Sequence, residues 1–270
     1  MSNYLLDAKG NGQIFNTKEV LCEKESQWQK IEISNLEILG KVLVLDGIIQ
    51  LSEHDNARYH ETITHPVVQT VLPNHDESGD VLILGGGDGV IAAEVLKYPK
   101  LNVTLVDIDK EVVELSKKYL KDLNKGSLNS ERVTIKNQDA LKYVTETNKK
   151  YDVIFLDITD PHPDSPSSSL LGTEAIGRYK KLLKESGIII CQTDNPYITP
   201  KHREEIIQTF SENFINTDDF FITAITFSGL FSFVWASDKH KKLKFVDKTV
   251  QTSWLTQEKF TLCEKMLDLI

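Results

Sequence analysis

The chain has 270 residues, 40% of them hydrophobic and 26% charged, with 40 acidic against 31 basic side chains and a net charge of −9. That length allows one large domain, or one domain with a small appendage, and the composition supplies a core, which excludes a disordered chain. The acidic balance disfavours a nucleic-acid partner, whose phosphates need a basic face, and suits a cationic small molecule.

From Glu19 to Ser52 the apolar residues come in short alternating runs. Gln29 to Ser34 alternates polar and apolar residues, which predicts a half-buried strand. Lys41–Leu45 and Ile48–Leu51 flank Asp46-Gly47, a strong signal for a two-residue hairpin. After that the texture changes. Tyr59–Leu72 reads as a helix ended by Pro73. Strands are predicted at Val81–Leu84, Asn102–Val106, Val133–Lys136, Val153–Leu156 and Ile188–Cys191. Helices are predicted up to Lys97, over Lys110–Leu120, up to about Leu183 and over Pro200–Asn213. Strands alternating with helices imply a parallel sheet covered on both faces. Phe220–Thr226 and Phe231–Ser237, around Ser228-Gly229, read as an antiparallel hairpin at its edge, and Gln257–Leu269 as a last helix. The expected fold is therefore α/β: a small N-terminal antiparallel β domain over residues 1–56, then a mostly parallel sheet with an antiparallel edge hairpin over 57–270.

No apolar run approaches the roughly 18–20 residues of a membrane span. Met1–Asp7 lacks the basic and apolar regions of a secretory leader. Cys22, Cys191 and Cys263 are too few and too scattered for a disulfide scaffold. A cytoplasmic protein without membrane attachment is expected. No repeat at a period of 20–50 residues is visible, so a solenoid is not expected.

The chemistry concentrates at strand ends. Gly85, Gly86, Gly87, Asp88 and Gly89 lie between a predicted strand and a predicted helix, where glycine permits a tight turn and close backbone approach. The dinucleotide pattern G-x-G-x-x-G fails at Val90; G-x-G-x-G is more typical of a nucleoside site. Asp107 and Asp109 follow roughly 20 residues later, where an acid can hold ribose hydroxyls. Asp139 follows the third strand. In a doubly wound sheet such ends share one crevice, although Asp109 and Asp139 taken singly also fit simple helix N-caps. Asp157 and Asp160 follow the fourth strand, with Pro161 restraining the turn. Paired carboxylates attract cations, and one with a raised pKa can take a proton; local backbone bonding in a turn is the bland alternative. Pro163–Ser169 has the composition of a loop and suits a lid or plain surface. His60 and His65 are spaced by five, not by the four a zinc helix needs, and neither C-x-x-C nor G-x-S-x-G nor a P-loop occurs. Neither a metal nor a covalent nucleophile is expected.

Leu45–Gln50, Tyr59-His60-Glu61 with Thr64-His65, Val81–Gly89 and Asp157–Pro161, in this order and spacing, make the chain resemble the spermidine synthase family of polyamine aminopropyltransferases from about Gln29 to about Asp238. The resemblance implies a methyltransferase-like Rossmann domain behind the β domain, in a homodimer or homotetramer. It implies transfer of an aminopropyl group from decarboxylated S-adenosylmethionine, a co-substrate rather than a cofactor, to a diamine such as putrescine, with release of methylthioadenosine. By position, Gln29 would lie on the nucleoside side, His60 at the substrate pocket, Tyr59 at the amine channel, and Asp88 on the donor's ammonium. Asp107 would stand where the family usually has a ribose-binding Glu. Asp139, with Ala140 in place of the usual glycine, would meet the adenine. Asp157 would accept the proton, Asp160 would hold the acceptor amine, and Gln192 would face the channel. The chain departs from the family after Pro161, where His162–Ser165 replaces a Gly-Pro-Ala segment. It departs again in the late hairpin, where Thr226 and Phe227 stand in place of an amine-contacting tyrosine, and at Lys259–Ile270, where the family's His and Ala-Phe pattern is missing. These departures bear on the acceptor's identity. The competing readings are an S-adenosylmethionine-dependent N-methyltransferase of small amines and a non-catalytic polyamine-binding relative.

Overall fold

An antiparallel sheet opens the chain: β1 (Asn3–Leu5), β2 (Ile14–Glu25), β3 (Lys30–Leu36), β4 (Gly40–Leu45) and β5 (Ile48–Ser52), side by side in that order. The structure, a computed structural model, describes residues 3–5, 14–158 and 169–266. Asp46 and Gly47 both take left-handed φ, 49° and 83°, as a tight turn with the twist of its strands requires. Ile31 and Ile33 face Leu45 and Leu43 across the ladder, and this layer packs on Val90, Val112, Leu120 and Leu123 of the following domain. Strand β2 carries no hydrophobic alternation because nearly all of its length faces solvent, which is why its sequence does not announce it.

The second sheet is built from α1 (Asn56–Val71), β6 (Gly79–Gly85), α2 (Val90–Leu96), β7 (Leu101–Asp107), α3 (Lys110–Tyr119), α4 (Lys121–Asn124), β8 (Val133–Asn137), α5 (Ala140–Glu146), β9 (Tyr151–Asp157), α6 (Thr173–Leu182), β10 (Leu183–Gln192), α7 (Pro200–Asn213), β11 (Asn216–Ala224), β12 (Gly229–Ser237) and α8 (Gln257–Lys265). Its strand order is β11-β12-β10-β9-β6-β7-β8. Strands β6 to β10 run parallel, and the β11–β12 hairpin runs antiparallel on the edge. The central strands are apolar on both faces because helices cover both. Val81, Ile83, Val153, Phe155, Ile188 and Ile190 point toward α1, α2 and α8. Leu82, Leu84, Ile154, Leu156, Ile189 and Cys191 alternate with them and meet Ile176, Tyr179 and Phe210 of α6 and α7. Truncating one of these to alanine costs about 2–5 kcal/mol.

The expected α/β architecture is present. The late hairpin differs in detail: β11 starts at Asn216 and stops at Ala224, and Ile225–Phe227 form a 3-10 turn. Helix α5 is short and was not evident from periodicity. The last helix is described as far as Lys265, and residues 267–270 lie outside the described residues. Among the described residues, no helix is long and apolar enough to cross a membrane.

Candidate active site

The strand order reverses its direction of growth between β6 and β9, and a crevice opens there at the carboxyl ends of the strands. Register places the acids at neighbouring ends: Gly85 pairs with Asp157, and Asp107 with Asn137. The glycine turn follows from this crowding. Gly85, Gly86 and Gly89 take φ of 84°, 67° and 80°. A side chain at Gly85 would collide with the Asp157 carbonyl, and a Cβ at Gly87 would stand 2.6 Å from Asp107 Oδ2. The turn is tied to both neighbouring strands. Gly86 N donates to the Asp157 carbonyl at 2.9 Å, and Gly87 N donates to Asp107 Oδ2 at 2.9 Å.

Asp88 is buried, and one of its oxygens accepts from Val90 N at 2.7 Å. Asn124 holds its backbone, donating to the Asp88 carbonyl at 2.9 Å and to the Ser116 carbonyl at 3.2 Å. Asp157 receives the Tyr59 hydroxyl at 3.4 Å, a long bond for a carboxylate. Desolvation first, then the nearby charge of Asp88, pushes the Asp157 carboxyl up to about 8; the Tyr59 bond opposes this and the Asp107 charge adds to it. Asp107 rises to about 6, mainly by desolvation, against backbone donors from Asp109 and Gly87. Desolvation and like charge thus favour the neutral forms of Asp157 and Asp107. A cation placed among these acids would relieve that penalty.

The flanking residues are placed as follows. Gln29 Nε2 donates to Asp109 Oδ2 at 3.0 Å, and Ser26 Oγ donates to the same oxygen at 2.6 Å. Gln29 thus braces the crevice wall through Asp109, and Asp109 itself caps α3 by accepting from Glu111 N. Asp139 caps α5 by accepting from Lys142 N at 2.8 Å, and Ala140 joins the apolar layer with Val106 and Leu84. The bland N-cap role therefore applies to both Asp109 and Asp139, at positions that also border the crevice. Gln192 Nε2 donates to the Ile158 carbonyl at 3.2 Å and its Oε1 accepts from Asp194 N, which steadies the chain just past Asp157. Tyr59 packs among Phe227, Phe231 and Phe233, and His60 packs on Tyr59 with Nδ1 2.9 Å from the Asn56 carbonyl. His65 points elsewhere, between Glu94 Oε2 at 2.8 Å and the Tyr98 hydroxyl at 3.1 Å. Among the described residues, no group of three His, Cys, Asp or Glu is arranged to hold a metal. Asp160 and the segment His162–Ser165 lie outside the described residues. Sequence reasoning missed Ser26, Asn124 and Asp109's contact with Gln29. The contacts Ser26–Asp109, Asn124–Asp88 and Gln29–Asp109 each join residues more than thirty positions apart, so no local pattern marks them.

This fold and crevice define a methyltransferase-like α/β protein with a cluster of acids at the carboxyl ends of its strands. Residues 56–247 match the "Spermine/spermidine synthase domain" and residues 5–53 the "Spermidine synthase tetramerisation domain". A polyamine aminopropyltransferase of Pyrobaculum aerophilum is 36% identical over 231 residues, 84% of this chain and 78% of that protein. Polyamine aminopropyltransferase 1 of Bacillus cereus is 35% identical over 243 residues, 88% of this chain and 86% of that protein. The crystal structure of spermidine synthase from Thermotoga maritima superposes with a TM-score of 0.86 at 27% identity, covering 100% of this chain and 95% of that one. A spermidine synthase in complex with the transition state analogue AdoDATO gives 0.87 at 26% identity, covering 99% and 94%. The chain belongs to the spermine/spermidine synthase family of polyamine aminopropyltransferases.

Proposed function

We propose that the protein transfers the aminopropyl group of decarboxylated S-adenosylmethionine to a diamine, putrescine first among them, giving spermidine and methylthioadenosine, with Asp157 as proton acceptor. The observation that carries this is the position of Asp157: it ends β9 at the floor of the crevice, beside the charge of Asp88 and under the hydroxyl of Tyr59. The acceptor amine has a free pKa of roughly 10 and arrives as an ammonium without a lone pair. Asp157 takes one proton from that nitrogen. The freed lone pair attacks the aminopropyl carbon bound to the sulfonium, the carbon–sulfur bond breaks, and its electron pair stays on sulfur, so the leaving group departs neutral. Burial first, and then the charge of Asp88, push the Asp157 carboxyl up. A bound sulfonium and ammonium act in the opposite sense and favour the carboxylate that the step requires.

On this reading Asp88 holds the donor's ammonium and disfavours intact S-adenosylmethionine, whose extra carboxylate it would repel. Asp107, with Gln29 and Asp109 beside it, serves the ribose; Asp139 and Ala140 serve the adenine; Tyr59, His60 and Gln192 line the amine side; and Asp160 keeps the acceptor's far charge paired. The reaction draws on no cofactor. Exposed Ile14, Val20 and Ile38 on the N-terminal sheet, at 63%, 45% and 61% exposure, support a homodimer or homotetramer built through that sheet. Three free thiols fit a cytoplasmic enzyme. The test is product analysis by mass spectrometry with decarboxylated and intact S-adenosylmethionine against a panel of diamines and polyamines. Methylthioadenosine and spermidine are expected from the decarboxylated donor with putrescine. Methyl transfer from the intact donor, or no product with any amine, overturns the proposal.

A further inference from the structure

A buried polar knot joins the entrance of α1 to the turn of the late hairpin. Asp55, 5% exposed, stands just before α1. Its Oδ2 accepts from Thr226 N at 3.0 Å. Its Oδ1 accepts from Thr226 Oγ1 at 2.5 Å and from Ser52 Oγ at 2.7 Å, and the two hydroxyl oxygens lie 2.6 Å apart. Among the described residues no basic side chain forms an ion pair with Asp55. One turn further along α1, Arg58 donates to the Thr223 carbonyl at 2.6 Å and to its hydroxyl at 3.0 Å. The turn Ile225–Phe227 is thus held to the start of α1 by directional bonds from two sides.

A carboxylate buried without a cation is costly unless its acceptors are filled, and filled networks specify geometry more tightly than apolar packing does. What this one specifies is aromatic. Phe227 follows Thr226 directly, stacks on Phe231 with centroids 4.4 Å apart, and lies 5.5 Å from the Tyr59 ring. The Tyr59 hydroxyl reaches Asp157. An unbroken line of contacts therefore runs from Asp55 to the carboxyl at the crevice floor. This line sits on the β12–β10–β9 side of the sheet, whereas Asp107, Asp109 and Gln29 gather beyond β6, at β7. The two sides meet different parts of any ligand pair bound across the crevice.

We infer that Ser52, Asp55 and Thr226 are positioning residues for the acceptor amine: they fix the turn Ile225–Phe227 so that Phe227 and Tyr59 form one wall of the amine's path to Asp157. The inference rests on the proposed role of Asp157. Aromatic faces attract an ammonium and cover its alkyl chain, and a wall that drifts loses both. The test separates the acceptor's kinetic constants from the donor's. Thr226→Val keeps the shape and removes the hydroxyl. It raises the acceptor KM about tenfold, the worth of one hydrogen bond to a charged group, with donor KM and kcat within about twofold. Thr226→Ser restores the acceptor KM. An unchanged acceptor KM in Thr226→Val, or acceptor and donor KM rising together, overturns the inference. Should Thr226→Val fail to fold, Phe227→Leu, outside the knot, decides: an acceptor KM equal to wild type overturns it. Absence of any turnover by the wild type refutes the proposed function instead. In that event the spermidine-induced thermal shift, measured with methylthioadenosine present, tests the wall directly: it is present in the wild type and reduced in Thr226→Val, and equal shifts overturn the inference.

Discussion

Glu61 and Asp157 are two acids withdrawn from water, one on helix α1 and one in the crevice, and the protein treats them in opposite ways. Glu61, 1% exposed, accepts from Ser253 N at 2.6 Å, Trp254 N at 2.8 Å and Leu255 N at 2.8 Å, and Lys97 stands 3.8 Å away. Its acceptor capacity is filled by backbone, and it fastens the C-terminal segment to α1. Among the described residues, Asp157 has one long bond from a phenol and two acidic neighbours. A filled acid stabilises a fold; an unfilled one among like charges is held ready for a cation and a proton.

The largest effect that would break this contrast is on Asp157. Asp157→Asn lowers kcat/KM by about 10²–10⁴, the usual contribution of a placed base, read as methylthioadenosine release. Near wild-type turnover would remove Asp157 from the chemistry. Glu61→Ala leaves three backbone N–H groups without their acceptor and destabilises the fold by about 2–4 kcal/mol in urea titration. A change near zero would mean that water replaces the carboxylate freely and that the C-terminal segment is held by packing alone.

The pH dependence sharpens the comparison. With both substrates well below saturation, the rate rises with pH through an ascending limb near 8, as Asp157 of the free enzyme loses its proton. Asp88→Asn removes a charge that raises this value, so the limb moves down. A limb that stays in place uncouples the two acids. Stability carries the same signature with a definite sign. The folded Asp157 pKa lies above the unfolded value of about 3.9, so the folded chain keeps a proton that the unfolded chain releases. Its stabilising contribution is complete below about pH 4 and is lost as pH rises through about 8. Asp157→Asn escapes that loss, and its Tm matches wild type at pH 4 and exceeds it at pH 8.5.

The smallest expected effect on the fold concerns Asp139. Asparagine caps a helix as well as aspartate does, so Asp139→Asn changes stability by less than about 0.5 kcal/mol. A donor KM that nevertheless rises several-fold separates a nucleoside contact from the cap.

Strands β6, β9 and β10 could be read from the sequence because their central residues are buried on both faces and so are written as continuous apolar runs, as at Val153–Leu156. The hairpin at Asp46-Gly47 was readable because few residue pairs accept its backbone. Strand β2 was not, since a solvent-facing strand needs no hydrophobic period. The positions of Asp88, Asp107 and Asp157 at strand ends were also local facts, carried by the glycine turn and the strand boundaries. What they do to one another was not local. The raised carboxyl of Asp157, the brace from Gln29 and Ser26 to Asp109, and the knot of Ser52, Asp55 and Thr226 all join segments far apart in the chain. Residue type and short-range period therefore determine which acids exist and on which elements they stand. Whether an acid is filled by backbone donors or left to meet a substrate is decided only when distant strands come together, because desolvation and Coulomb terms depend on distances that no local period encodes.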